Sequence, residues 1–149
     1  MRDQTTPLAG VEIVKLEPGD EGRVMDAADL FDHKPLPDAV QRFLQESTHH
    51  ILVAYRDNKP AGFVTGVEMT HPDKGTEMFL YELSVHEAQR MYGIGSALVD
   101  SLAALARQRG CYGMWVLTED DNLAALKTYA KTGSRRGKID QVMLSWTFG

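Results

Sequence analysis

The chain has 149 residues, of which 43% are hydrophobic and 25% are charged, as in ordinary soluble globular proteins. This length predicts a single domain over residues 1–149, with residues 1–10 as a flexible tail. No apolar run approaches the ~18 residues of a membrane-spanning helix, and the first residues lack the apolar core of a signal peptide, so we expect a cytoplasmic protein without a membrane partner. The net charge of −5 argues against a nucleic-acid partner. The single cysteine, Cys111, cannot form an internal disulfide.

The first half of the chain carries strand and helix patterns in turn. Short apolar segments predict three strands, over residues 11–16, 51–55 and 61–69. Between the first two strands, helical spacing predicts two short helices, with Asp20 and Asp38 as their caps. The turn residues 57–60 would join the later strands into a hairpin. The adjacent His49 and His50 are expected on the surface at the end of the second helix.

A strand, a glycine-containing turn and a long helix occupy the middle of the chain. The strand is predicted over residues 78–85, and strict alternation would place its side chains on two faces. One face would hold Phe79, Tyr81, Leu83 and Val85, and the other Leu80, Glu82 and Ser84. The helix is predicted over residues 96–109, with Gly110 ending it.

The last third continues this order. A buried strand is predicted over residues 111–117, and then a helix over residues 123–131, with Asp120, Asp121 or Asn122 as its cap and Gly133 closing it. Alternating apolar residues predict a final strand over 139–148, whose Trp146 and Phe148 could serve a homodimer. The element order indicates an α/β (α+β) fold with antiparallel strands first and a strand–helix–strand crossover at its centre.

The glycine-containing turn is Arg90-Met91-Tyr92-Gly93-Ile94-Gly95. Its backbone N–H groups, at the positive end of the helix dipole, could hold a pyrophosphate beside Arg90, and glycine lets a phosphate approach closely. The alternative is a tight connection without a ligand. The turn is neither a dinucleotide fingerprint nor a Walker A loop, because it has neither G-x-G-x-x-G nor G-K-[ST].

Two motifs resemble a known family. Arg90-x-x-Gly93-x-Gly95, after a strand ending in Leu83-Ser84-Val85, is similar to the acetyl-coenzyme A motif of the GNAT superfamily of N-acetyltransferases. Asn122-x-x-Ala125-x-x-x-Tyr129-x-Lys131-x-Gly133 resembles a later helix of that superfamily. The resemblance implies the GNAT fold, with a mixed, mostly antiparallel sheet of six to seven strands flanked by about four helices.

The resemblance also implies ligands. Acetyl-coenzyme A would be the co-substrate, no metal is implied, and a dimer is common in the superfamily. The coenzyme-binding residues would be Leu83, Ser84, Val85, Arg90, Met91, Tyr92, Gly93, Ile94, Gly95, Ser96, Asn122, Ala125 and Tyr129. The chain departs from the usual pattern at Met91-Tyr92, where basic or small residues are usual, and at Ser134, where an apolar residue usually follows the glycine.

A narrower resemblance concerns the acceptor. The segments ADLF (28–31), LYELSV (80–85) and YGIGSAL (92–98) are similar to aminoglycoside 3-N-acetyltransferases of type I. This implies transfer of acetyl to the 3-amino group of an aminoglycoside antibiotic, and hence antibiotic resistance. Transfer to another small amine, a polyamine or a protein amine stays open, as does a coenzyme-binding module without turnover.

The chemistry needs a base, because an ammonium has no lone pair and a lysine-like amine has a pKa of ~10.4. Glu82 is the candidate, acting directly or through a water; its alternative is an exposed surface carboxylate. Tyr129 is the candidate proton donor to the leaving thiolate, or only positions the sulfur. The backbone N–H of Leu83 or of its neighbour would bind the thioester oxygen. Direct attack with both substrates bound then needs no enzyme nucleophile.

Acidic residues would attract a polycationic amine. The candidates are Glu82, Glu119, Asp120 and Asp121, although the run 119–121 is also a typical solvated helix start. No cluster of His, Cys or Asp has metal-ligand spacing.

Overall fold

The computed structural model describes residues 8–138 and 140–149. Residues 1–7 of the expected tail and Ile139, where the final strand was predicted to begin, lie outside the described residues. Leu8, the first described residue, packs against the core. None of the helices in these two ranges is both long enough and apolar enough to cross a membrane.

The described chain forms one five-stranded sheet in the order β1-β2-β3-β4-β5. The strands are β1 (Val11–Lys15), β2 (His49–Arg56), β3 (Lys59–His71), β4 (Gly75–Val85) and β5 (Met114–Val116). Neighbours pair antiparallel except β4 and β5, which are parallel. The predicted hairpin joins β2 to β3 through Asp57 and Asn58, both at positive φ, as a tight hairpin turn requires.

Four α-helices flank the sheet within residues 8–138. They are α1 (Glu21–Asp26), α2 (Pro37–Gln45), α3 (Ile94–Gln108) and α4 (Leu123–Lys131). Short 3-10 turns follow α1 at Ala28–Leu30 and β4 at Glu87–Gln89. The α/β class and the crossover from β4 through α3 to β5 are confirmed, but the six to seven strands expected are five in the described residues.

The core has two parts because successive residues of a strand face opposite sides of the sheet. The core on the α3 side includes Leu52, Val64, Leu80, Leu98 and Leu102. The core under α1 and α2 includes Val24, Leu44, Ile51, Val53 and Phe63. Gly66 of β3 allows α3 to lie close, since a Cβ there would be 2.8 Å from the Met78 sulfur and 2.9 Å from Leu102.

Two helix starts differ from prediction. The α2 helix begins at Pro37, so Asp38 lies in its first turn and does not cap it. Proline suits the first turn of a helix because it has no N–H to leave unpaired. The α3 helix begins at Ile94, before the predicted Ser96, and its N-cap is Gly93 in the left-handed region.

The surface positions predicted for two histidines are wrong. His49 and His50 are the first residues of β2, and His50 is only 2% exposed. His50 is accommodated because its Nε2 lies 2.6 Å from a carboxylate oxygen of Glu68 on β3. A buried polar side chain needs such a partner.

The strand β5 is shorter than the predicted range 111–117 because its expected beginning completes the preceding helix. The N–H of Cys111 donates to Ala106 O at 2.9 Å, and the N–H of Gly110 donates to Arg107 O at 3.1 Å. With Gly110 at φ 82°, these two bonds form a Schellman cap. Cys111 therefore precedes the strand, half-buried and as a free thiol.

The predicted final strand is wrong in its described part. Residues 140–149 contain no strand, and every one of them is exposed, including Trp146 at 76% and Phe148 at 89%. Alternating apolar residues favour a strand only where a neighbouring strand takes up the backbone hydrogen bonds. No described strand pairs with this segment.

Candidate active site

The central strand β4 contains a β-bulge. In its register with β3, Glu82 faces Thr65 and Leu80 faces Gly66, so Tyr81 has no opposing residue. Such an extra residue interrupts the alternation of side chains along the strand. The bulge is therefore the local reason why the two halves of β4 present different residues to each face.

The strict alternation predicted for β4 is wrong as a consequence. Leu80, before the bulge, and Leu83 and Val85, after it, all pack against the core on the α3 side. Glu82 and Ser84 lie between or beside these residues and face the opposite side of the sheet. The bulge thus places the Glu82 carboxyl on the side that carries α1, α2 and the segment between them.

Two contacts hold that segment over β4. The hydroxyl of Ser84 donates to Leu30 O at 2.7 Å. The ring of Phe31 stacks on Phe63 of β3, with 4.2 Å between the ring centroids. Asp32 follows directly, and its carboxyl is close enough to Glu82 to raise the pKa of the Glu82 carboxyl. Residues 30–32 therefore connect the first helix to the site.

Glu82 is half-buried, and its surroundings disfavour a negative charge. Burial raises the pKa of its carboxyl, and the charge of Asp32 and the hydrogen bond with Asp32 raise this pKa further, while His33 opposes the shift. Two neighbouring carboxyls can share one proton, because both cannot easily be charged. Asp32 and His33 were missed in the sequence, where nothing indicates which loop reaches Glu82, although they directly follow the ADLF segment.

The sheet opens beside Glu82. The short β5 pairs with β4 only at Met78–Leu80. Within the described chain, residues 81–85 have no strand partner on that edge. The backbone of this part of β4 is therefore free to bind an extended ligand.

The Leu83 N–H points to the open edge. The N–H groups of Glu82 and His86 point the other way, toward β3, where they donate to Thr65 Oγ1 at 3.2 Å and to Ala61 O at 2.8 Å. Successive N–H groups of a strand point to opposite edges. Leu83 thus presents a backbone donor next to the Glu82 carboxyl.

The turn between β4 and α3 has the geometry of an exposed helix start. Met91 and Gly93 are both at positive φ, 75° and 81°. Arg90 donates from Nε to Val85 O at 3.4 Å, which folds its side chain back on the strand. Ile94, Gly95 and Ser96 form the first turn of α3, where backbone N–H groups have no partner inside the helix.

Arg56 of β2 also reaches this turn. Its Nη1 donates to Gln89 Oε1 at 2.9 Å, and its guanidinium carbon lies 3.9 Å from the centroid of the Tyr92 ring. Arg56 and Gln89 are 33 residues apart in the chain. Local sequence patterns therefore contain no signal for this contact.

The α4 helix contributes a cap and a buried phenol. Asn122 Oδ1 accepts from the Ala125 N–H at 3.1 Å and caps the helix. The side chain of Tyr129 is 8% exposed and belongs to the core on the α3 side. Burial raises the pKa of the Tyr129 phenol, so the phenol stays protonated at neutral pH.

The acidic run lies in the loop after β5. Glu119, Asp120 and Asp121 are all exposed, and in the described residues none of their side chains forms a hydrogen bond or ion pair. No group of three or more His, Cys, Asp or Glu residues in the described ranges could hold a metal ion. The acidic residue that does meet Glu82 is Asp32.

Residues 20–133 match the profile of the acetyltransferase (GNAT) family. This range is most of the chain, and it includes α1, the bulged strand β4, the turn after β4 and α4. The chain belongs to this family and has the GNAT fold. No curated protein matches it.

Solved structures share the fold at low sequence identity. An aminoglycoside acetyltransferase from an uncultured soil metagenomic sample, in complex with sisomicin, is 19% identical with a TM-score of 0.85, over 94% of this chain and 97% of that one. The aminoglycoside N-acetyltransferase AAC(6')-Iy in complex with CoA is 18% identical with a TM-score of 0.76, over 92% and 94%. The ribosomal-protein-alanine N-acetyltransferase of Brucella melitensis biovar Abortus 2308 is 22% identical with a TM-score of 0.73, over 93% and 99%.

Proposed function

We propose that the protein transfers acetyl from acetyl-CoA to a primary amine, the 3-amino group of an aminoglycoside, by direct attack while both substrates are bound. The observation that carries this proposal is the half-buried Glu82 carboxyl, whose pKa is raised, beside the open edge of β4. A carboxyl whose pKa lies nearer neutrality is a better general base for an amine than an ordinary surface glutamate.

Acetyl-CoA would bind along β4 and the start of α3. The backbone donors at the open edge suit the amides of an extended pantetheine arm, and the turn 90–96 with the helix N-terminus suits the diphosphate. Leu83, Ser84 and Val85 belong to the strand part of this site. Asn122, Ala125 and Tyr129 would border it from α4. Membership of the GNAT family and the CoA complex of a structural relative support this assignment.

The proposed reaction begins with loss of a proton from the bound ammonium to Glu82, directly or through a water. The free amine attacks the thioester carbonyl carbon, and a C–N bond forms. The Leu83 N–H donates to the oxyanion of the tetrahedral intermediate. The oxyanion then re-forms the carbonyl and the C–S bond breaks, and the thiolate, whose conjugate thiol has a pKa of ~8.5, takes a proton from Tyr129. Its raised pKa keeps the Tyr129 phenol protonated until that step. The second proton of the attacking nitrogen passes through water to the Tyr129 phenolate, which leaves a neutral amide and a neutral phenol.

Charge favours a cationic acceptor. Asp32 and Glu82 place two carboxyls beside the proposed amine position, and a bound ammonium would favour the charged form of Glu82, whose pKa the Asp32 charge raises. The exposed acidic residues of the loop after β5 would attract further amino groups of a polycation; these are Glu119, Asp120 and Asp121. The 3-amino position rests on the resemblance of the segments 28–31, 80–85 and 92–98.

A protein or polyamine acceptor is the second candidate. The structural likeness to a ribosomal-protein-alanine N-acetyltransferase favours it, since that fold match covers 93% of this chain. The third candidate is a CoA-binding module without turnover. The carboxyl pair argues against it, because two neighbouring carboxyls, one of them with a raised pKa, have no evident value for binding CoA alone.

Thiol release from acetyl-CoA decides between these candidates. The purified protein is mixed with aminoglycosides that have or lack a 3-amino group, with spermidine and with peptides bearing a free N-terminus. The proposal predicts release only with 3-amino compounds, and NMR of the product should place the acetyl group on that nitrogen. Release with spermidine or peptides alone would favour the second candidate, and CoA binding without release would favour the third.

The single domain, the cytoplasmic location and the homodimer stay predictions. The exposed Trp146 and Phe148 provide apolar surface for such a dimer. Light scattering of the full chain and of a chain ending at residue 138 would test it. We expect a dimer mass for the first and a monomer mass for the second.

A further inference from the structure

The side chain of Arg56 contacts the turn after β4. Arg56 is the last residue of β2, and its half-buried side chain crosses to the turn where the diphosphate is proposed to bind. The side chain donates to Gln89 and lies over the Tyr92 ring. In the described residues no carboxylate forms an ion pair with it, although Asp57 and Glu87 are its acidic neighbours along the chain and in the turn.

The turn itself is poor in positive charge. Arg90 is its own cation, and the Arg90 Nε is already directed at Val85 O. The next two positions are Met91 and Tyr92, neither of which can neutralise a phosphate. A diphosphate bound here would have backbone N–H groups and a single positive charge from the turn, that of Arg90.

Arg56 has spare capacity for that role. A guanidinium carries several N–H donors in one plane, and its geometry matches two phosphate oxygens at once. Gln89 takes one donor from Nη1, and the Tyr92 ring covers one face of the plane. The remaining edge donors have no partner in the described chain.

We propose that Arg56 is a coenzyme-binding residue of this protein, which orders the turn through Gln89 and Tyr92 and donates to a phosphate oxygen of coenzyme A. The inference rests on the proposed use of acetyl-CoA. This role of Arg56 gives a reason for the aromatic residue at position 92, because the Tyr92 ring holds the guanidinium that comes from β2.

Calorimetric titration of CoA tests this assignment. Arg56→Met keeps the aliphatic stem and removes the charge, Arg56→Lys keeps a charge without the planar fork, and Lys59→Met is the matched control, an exposed cation at the start of β3. Charge-assisted hydrogen bonds to a phosphate predict a rise in Kd of about tenfold or more for Arg56→Met and a smaller rise for Arg56→Lys. The control should stay within about twofold.

Salt separates a phosphate contact from a change in folding. The Kd of the wild type should rise more steeply with KCl than that of Arg56→Met, because the variant lacks one of the screened charges. Equal Kd values for wild type and Arg56→Met, or equal salt dependence, would overturn the assignment. If the methionine variant does not fold, an unchanged Kd in both Arg56→Lys and Tyr92→Leu would likewise contradict it. A wild type that binds no CoA would overturn the proposed function as well.

Discussion

Two glutamates on neighbouring strands of the sheet have opposite surroundings. Glu68, on β3, has a side chain only 7% exposed, and it accepts from His50 Nε2 at 2.6 Å and from Arg109 Nε at 2.8 Å. Burial opposes its charge, yet the hydrogen bonds from His50 and Arg109 hold the pKa of Glu68 below its ordinary value. Glu82, on β4, meets the carboxyl of Asp32, and its pKa is raised.

The comparison distinguishes a buried carboxyl that stabilises the fold from one that is suited to catalysis. Glu68 has donors that satisfy it, so it stays ionised and bridges β2, β3 and the end of α3. Burial lowers the pKa of His50, so its neutral ring donates to this carboxylate. Glu82 is held where its charge is disfavoured, which costs stability and leaves a carboxyl ready to take a proton. The two sites should therefore respond differently to the same chemical change.

Glu82→Gln should have the largest effect on activity. Removal of a general base costs roughly 10² to 10⁴ in kcat, whereas CoA binding by calorimetry should stay unchanged. Steady-state thiol release measures the first quantity. The matched change, Glu68→Gln, should leave the kcat of the folded fraction unchanged. Equal losses of kcat in both variants would erase the distinction between the two glutamates.

Glu68→Gln should instead lower the free energy of unfolding, by about 2–4 kcal/mol, because it removes the charge that binds Arg109 and His50. Urea denaturation at pH 7 measures this change. Glu82→Gln should leave the unfolding free energy unchanged or raise it, since the folded protein already favours the neutral carboxyl. A larger loss of stability in Glu82→Gln than in Glu68→Gln would contradict the comparison.

The two pKa shifts predict opposite effects of pH on the free energy of unfolding. The lowered pKa of Glu68 contributes stability that is present above its unfolded-state pKa and is lost as the pH falls through its folded-state pKa. The raised pKa of Glu82 acts in reverse, because its neutral form is favoured in the folded state and stability declines as the pH rises through the folded-state value.

Asp32→Asn should have the smallest effect and should sharpen the account of Glu82. Without the Asp32 charge the pKa of Glu82 falls, so the acidic limb of the kcat/KM profile should move to lower pH. KM for a cationic acceptor should rise about two- to fivefold, the range of a partly exposed charge pair. Asp29→Asn, an exposed carboxyl in the preceding 3-10 turn, is the control. An unmoved limb would show that Asp32 does not act on Glu82.

Local patterns in the sequence were sufficient for the parts of the fold that local chemistry decides. The hairpin turn at Asp57 and Asn58 and the glycine at the end of α3 were predicted, and the cap of α4 at Asn122 was one of three adjacent candidates, since each feature depends on a few adjacent residues. The same holds for the choice of Glu82 as the carboxylate within the apolar part of β4, although its role stays a prediction.

Contacts between distant segments were not predictable in this way. The bulge at Tyr81 depends on the register of two paired strands, so strict alternation wrongly placed Leu80 on the face opposite to Leu83 and Val85. The meeting of Asp32 with Glu82 requires the anchoring of Leu30 by Ser84, far along the chain. The burial of His50 likewise depends on a carboxylate from another strand.

The dependence of kcat/KM on pH tests most directly whether Glu82 is the general base. Wild type, Glu82→Gln and Glu68→Gln are compared with one accepted amine, from pH 5 to 9 or as far as each variant stays folded. In the wild type and in Glu68→Gln, we expect kcat/KM to fall at low pH with an apparent pKa above the ordinary value of glutamate. In Glu82→Gln we expect this acidic limb to disappear. A limb that persists unchanged in Glu82→Gln would contradict the assignment of Glu82 as the base.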